Sequence, residues 1–319
     1  MYRLREMTVE DKVCEQVSMP LLNEVYPQEV IERCVQQSEP WNTKVRRVRL
    51  STALSLVLFV IALGLWSRRN QCQVWNSLVG KLSDLHPAEP DSAISDSGLS
   101  GRRQALGSQC LQVLMQARCQ LLATPQSMPT AFFGRYRLMA IDGTLLHTPD
   151  TKANAAAFGR SSNQYGPGAY PQVKCVLVAE CGSHAVVGLE MDRYDVSEVH
   201  GAYRLLSQIG PNMVVLVDAG LISGAFIEQV RACKAHVLGA LEAGAWEQPN
   251  KARRLADGSV LAWVPPSHAG RYRKPQGMWV RIIFYRVTDA RLGEPDKVYR
   301  VVTTLLNPRV APALTFLNL

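Results

Sequence analysis

The pattern of apolar and polar positions changes character near residue 130. Before that point apolar residues recur at helical spacing. Pro27 stands where it would open a helix through residues 28–37. Residues 50–66 are almost free of polarity, and an amphipathic stretch follows around Val74, Leu78 and Leu82. Residues 83–101 (SDLHPAEPDSAISDSGLSG) collect Ser, Asp, Pro and Gly and read as a long loop. Leu111, Leu114, Met115, Cys119 and Leu122 are spaced i, i+3, i+4, which predicts a helix over 106–122. The first ~130 residues therefore read as all-helical. From Tyr136 short apolar runs alternate with helical patterns. Strands are expected at 136–141, 173–179, 185–191, 214–217 and 235–241, with helices over 197–208 and 223–233. This alternation is an α/β layout with a mixed sheet. After Asp257 the chain is strand-like without helices, at 259–264, 278–287 and 297–306.

Composition narrows this picture. The 319 residues are 47% hydrophobic and 19% charged, which excludes a disordered or collagen-like chain and can supply a full core. The charge is uneven. Of 35 Lys+Arg and 27 Asp+Glu, residues 251–319 hold 12 basic and 4 acidic, and the first 250 residues are neutral. A local basic surface suits a polyanion such as DNA, and solubility alone accounts for it equally. The eight cysteines form no C-x-x-C pair and have no His partner at metal spacing, so they read as buried apolar residues in a reducing cytosol. No apolar stretch follows Met1, so no signal peptide is expected. Residues 50–66, flanked by arginines, stand at the short edge of a membrane-spanning helix, and a buried core helix fits the same pattern.

Two aspartates stand out by position. Asp142 ends the apolar run that starts at Tyr136 and precedes Gly143 and Thr144. Asp218 ends the run from Met213 and precedes Ala219 and Gly220. Carboxylates at the carboxyl ends of strands lie where loops meet and ligands bind. Two on neighbouring strands can hold divalent cations, the arrangement phosphoryl chemistry uses with metals ~3.5–4 Å apart. For either residue alone, capping of the following turn is the better explanation of the position. No phosphate-binding glycine loop, G-x-S-x-G elbow or H-E-x-x-H pair occurs, and the six histidines are dispersed.

The wider text around Asp142 carries a resemblance. Residues 136–170 read YRLMAIDGTLLHTPDTKANAAAFGRSSNQYGPGAY, followed by PQVK. This closely resembles the insertion-sequence transposases of the IS-four family, which carry D-G-T, then P-D-T-x-x-N-x-x-x-F-G, then an aromatic-P-Q strand. The likeness continues through SGLSGRRQALG at 97–107, Ser197-Glu198 before a helix, Leu216-Val-Asp218 before a turn, and Thr303-Thr304-Leu305-Leu306 after Tyr299-Arg300. It implies a helical N-terminal domain over 1–130, a ribonuclease-H-like mixed-sheet core over 131–250 and a basic β-rich insertion over 251–319. It also implies Mg2+-dependent DNA strand cleavage and transfer at a two-metal D-D-E site. In that mapping Asp142 and Asp218 are the first two catalytic, metal-holding carboxylates. Double-stranded transposon ends would be the partner, with self-association or pairing with a full-length transposase, in a bacterial cytoplasm at the nucleoid and without a membrane. Arg253, Arg254, Arg271, Arg273 and Lys274 are the expected DNA contacts, because they cluster where loops are predicted.

The sequence also departs from the family pattern. Ala219, Gly220 and Leu221 follow Asp218 where basic or polar and aromatic residues are usual. Glu242 stands where a Lys is common. The family's third ligand is a Glu on a Tyr-x-x-Arg-x-x-x-Glu helix after the T-T-L-L strand, and no acidic residue occurs here after Asp296. The resemblance therefore implies a transposase lacking the third carboxylate and inactive alone. The alternative is a non-catalytic DNA-binding or regulatory transposase fragment.

Overall fold

The computed structural model describes residues 17, 19–38, 50–82, 94–164, 166–242, 246, 251–264, 277–286 and 297–318. Two compact units, Met1–Cys119 and Gln120–Leu319, divide the chain. The first contains helices α1 (Met19–Val25), α2 (Gln28–Gln36), α3 (Leu50–Leu65), α4 (Gln71–Leu82), α5 (Asp96–Leu106) and α6 (Gln109–Arg118). Helix α3 lies in the middle of its core. Ala53, Leu56, Val57, Phe59 and Ala62 are buried among Ile31, Trp75, Leu78, Leu99 and Leu114, and Phe59 meets Trp75 edge-on at 5.4 Å. Its sixteen residues span about 24 Å, short of a bilayer's apolar core. No helix among the described residues is long and apolar enough to cross a membrane.

Two sequence expectations in this unit need correction. Residues 96–101 are helical rather than loop. The Ser95 hydroxyl accepts from Gly98 N–H at 3.2 Å and starts α5, while burial of Leu99 repays the ordering of a Ser/Gly-rich turn. The helix expected over 106–122 is broken at Gly107, whose φ of 72° no other residue type adopts cheaply. It begins anew at Gln109 and ends at Arg118.

The second unit is built on one ten-stranded sheet in the order β6-β5-β2-β7-β8-β12-β11-β10-β9, with β1 also pairing β2. The strands are β1 (Phe132–Phe133), β2 (Tyr136–His147), β5 (Gln172–Glu180), β6 (Val186–Arg193), β7 (Met213–Val217), β8 (His236–Ala240), β9 (Ala252–Arg254), β10 (Val260–Val264), β11 (Met278–Arg286) and β12 (Val298–Thr303). A separate small hairpin pairs β3 (Ser162–Asn163) with β4 (Gly166–Pro167). Strands β2, β5 and β6 pair antiparallel, and β2, β7 and β8 pair parallel. This half of the sheet is the ribonuclease-H-like core. Its parallel crossovers run through α8 (Glu198–Leu205) and α9 (Gly224–Ala232), whose Ala202, Leu205, Phe226, Ile227 and Val230 pack on Met139, Ile141, Val178, Val215 and Val217. Strands β9–β12 extend the sheet beyond β8 by antiparallel pairing and form the β-rich insertion.

On the opposite face Tyr136, Leu138, Val214, Leu238 and Ile283 are covered by Leu305, Ala311 and Phe316, which follow β12. Arg281 holds this covering segment. It is wholly buried, donates to Ser259 Oγ at 2.8 Å and to the carbonyls of Leu305 and Ala311, and pairs with Asp257. The Asp257 carboxylate also accepts from Ala313 N–H at 3.2 Å. A second buried ion pair sits at the end of β5, where Glu180 meets Arg137. The helix α7 (Lys152–Phe158), capped by the Thr151 hydroxyl, is an element the periodicity did not reveal.

Candidate metal-binding site

Strand β2 does not stop at its aspartate. It runs to His147, paired with β5 from Met139 onward, whereas its pairing with β7 ends at Ile141 opposite Val217. Asp142 and Asp218 are therefore the next residues on two adjacent parallel strands, at the edge where β7 ends. Side chains alternate along a strand, so Asp142 shares the face of Leu138, and Asp218, still extended, shares the face of Val214. Both residues are exposed. The two register positions coincide in height and in face.

Local backbone geometry holds each carboxylate. Asp142 Oδ1 accepts from Gly143 N–H at 2.8 Å, and Asp218 Oδ1 accepts from Leu221 N–H at 3.1 Å as it caps a short 3-10 turn. The Oδ2 atoms take no hydrogen bond among the described residues. Two carboxylates with one oxygen fixed and one open are hard donors of the kind Mg2+ and Mn2+ accept. Among the described residues no group of three His, Cys, Asp or Glu is placed to hold a metal ion. Glu228 lies exposed on α9. Glu242 follows β8 and borders a cavity of about 240 Å3 together with Ala219, Ile222, Ser223, Gly224, Leu241 and Trp246.

Of the expected DNA contacts, Arg253 and Arg254 are exposed on β9, the edge strand, and not in a loop. The run from Lys251 pairs with β10 because Leu261 and Ala262 supply a partner edge. Arg271, Arg273 and Lys274 lie outside the described residues. One neighbour of the aspartates went unassigned in the sequence reading. Glu198, in the first turn of α8, lies against the α-carbon of Gly143. A Cβ at residue 143 would sit 2.6–2.8 Å from its Cδ, Cγ and Oε2.

Comparison with known proteins agrees along most of the chain. The model for the insertion element 4 transposase N-terminal domain matches residues 16–116, and that for the transposase DDE domain matches residues 133–318. "Transposase InsG for insertion sequence element IS4" of Escherichia coli (strain K12) is 27% identical over 277 residues, covering 87% of this chain and 60% of that protein. The chain thus spans less than two thirds of the length of this curated relative. Among solved structures, a piggyBac transposase synaptic complex with hairpin DNA aligns with TM-score 0.43 and 13% identity, over 96% of this chain and 66% of that one. An endonuclease V from Bacillus subtilis aligns at 0.23 and 12% identity, over 61% and 75%. Both are too distant to inform the site. The two family matches and the ribonuclease-H-like sheet make this chain a member of the IS4 family of DDE transposases.

Proposed function

We propose that the chain binds the double-stranded ends of a transposable element and acts in metal-dependent cleavage and transfer of DNA strands, with Asp142 and Asp218 holding the cation. The observation that carries this reading is the register of β2 and β7, which ends at Ile141 opposite Val217 and leaves the two aspartates level on one face. A divalent cation pair, when bound, activates the attacking oxygen and stabilises the leaving one in phosphoryl transfer. The chain's own residues prepare for it. Gly143 N–H and Leu221 N–H each hold one carboxylate oxygen, so neither aspartate must reorient to present the other. Arg253 and Arg254 supply positive charge on the outer strand, suited to phosphate contacts without base selectivity.

Mg2+ requires near-octahedral oxygen coordination, so two carboxylates hold it weakly and position an attacking water poorly. The 319 residues alone are thus proposed to bind DNA and to cleave it weakly or not at all. The second reading is a non-catalytic regulatory chain that associates with a full-length transposase. End cleavage by the purified chain in Mg2+ or Mn2+ separates the two readings. Cleavage that disappears in Asp142→Asn supports an enzyme. DNA binding without cleavage, with inhibition of an added full-length transposase, supports the regulator. A chain that does neither contradicts both.

A further inference from the structure

We propose that Glu198 is a positioning residue of the Asp142–Asp218 cation site. It would act from behind the strand, through Gly143. This rests on the cation-binding reading of the aspartate pair.

Three observations converge on it. The first is steric. Gly143 is the residue whose N–H holds Asp142 Oδ1, and the bare side of its α-carbon is filled by the Glu198 side chain, so closely that a single methyl group there would overlap Cδ, Cγ and Oε2. The second concerns support. Helix α8 is fixed against β5, β6 and β2 by buried Ala202 and Leu205, and its start is capped by the Ser197 hydroxyl, so the Glu198 backbone is not free to back away. The third is chemical. The half-buried Glu198 carboxylate has neither a hydrogen bond nor an ion pair among the described residues, unlike Glu180, Glu190, Asp192 and Asp257, each satisfied by an arginine. An unpaired carboxylate costs desolvation unless a cation is near. Glu198 backs the residue that follows Asp142, from the face of β2 opposite the aspartate side chains.

The geometry assigns two effects to Glu198. Its Cγ and Cδ back the Gly143 α-carbon and so restrain the residue whose N–H holds Asp142 Oδ1. Its charge adds to the negative field at the edge and favours a divalent ion over none. Partners outside the direct ligand set that orient a ligand typically change metal affinity about 10–100-fold when lost.

The test is Mn2+ titration of the whole chain by calorimetry, with melting in EDTA measured in parallel. Glu198→Gln keeps the shape and removes the charge, and it is expected to weaken Mn2+ binding about tenfold, with melting in EDTA shifted by no more than a first-turn helix charge accounts for. Gly143→Ala is expected to weaken binding at least as much, and Gly143→Ala with Glu198→Ala to regain the affinity of Glu198→Ala, because the methyl group then has space. If Asp142→Asn abolishes binding while Glu198→Gln and Glu198→Ala leave it within about twofold of native, well below the expected range, Glu198 is merely structural and the proposal falls. If Asp142→Asn has no effect either, the cation-site reading itself has failed. Should Gly143→Ala not fold, the Glu198→Gln titration decides alone.

Discussion

Replacing Glu180 by Ala tests the buried framework that supports the aspartate strands. Glu180 ends β5, the partner of β2, and is fully buried. Its Oε2 accepts from Leu122 N–H at 3.0 Å, Ala123 N–H at 2.8 Å and the Ser183 hydroxyl at 2.5 Å, while Oε1 pairs with Arg137. Arg137 donates back to the Ala123 carbonyl at 2.9 Å, so the pair ties residues 122–123 to the sheet. Truncation strands two backbone donors and a largely buried guanidinium. Removing one partner of a buried ion pair costs about 3–5 kcal/mol, and in a unit of this size each kcal/mol lowers the melting temperature by roughly 2–4 °C. A fall of roughly 6–20 °C is therefore expected in thermal unfolding followed by circular dichroism at pH 7. The pH dependence has a definite sign. Burial alone would raise the Glu180 pKa, but the Ser183 hydroxyl, the two backbone N–H groups and Arg137 outweigh it and hold the carboxyl below its usual 4.5. A lowered folded pKa means that the stabilisation is complete above 4.5 and fades as pH falls through the lowered value. The gap between native and Glu180→Ala should accordingly narrow below pH 4.5. A gap under about 1 °C at pH 7, smaller than even a surface pair would leave, would refute the reasoning, as would a gap independent of pH.

Two other outcomes follow from the insertion. Arg253→Glu with Arg254→Glu should weaken DNA binding and flatten its salt dependence by about two phosphate contacts' worth, measured by fluorescence anisotropy over a salt series; an unchanged slope would move the DNA face elsewhere. Arg281→Ala leaves Asp257 without its buried partner and frees the segment it staples, so the second unit should lose about 3–5 kcal/mol and tryptic cleavage at exposed Arg309 should quicken, whereas native-like resistance would contradict the stapling role.

Much of the core was legible because strand and helix periods differ so plainly after Tyr136. The apolar runs before Asp142 and Asp218 could be read as strands of a mixed sheet, and the structure pairs them parallel as β2 and β7. What was not legible depends on tertiary contacts. The continuation of β2 past Asp142 is held by β5, a partner 30 residues later, against a D-G-T text that reads as a turn. Helix α5 starts inside a Ser/Asp/Gly stretch because Leu99 finds a core, which local propensity does not contain. Arg253 and Arg254 read as loop residues because a three-residue edge strand has no period to detect. Ser197-Glu198 was legible as a helix start, but the contact of Glu198 with Gly143 crosses 55 positions of sequence. The buried Arg281 was invisible for the same reason, since a charged residue in a strand reads as solvent-facing until its partners Ser259, Asp257 and Ala311 are known.

The central claim is that Asp142 and Asp218 jointly hold a divalent cation. Electron paramagnetic resonance of Mn2+ titrated into the 319-residue chain measures this directly, because bound Mn2+ loses the sharp six-line signal of the free ion. Saturable binding is expected, lost alike in Asp142→Asn and in Asp218→Asn with the fold unchanged. Binding that survives either substitution, or that is absent from the native chain, would contradict it.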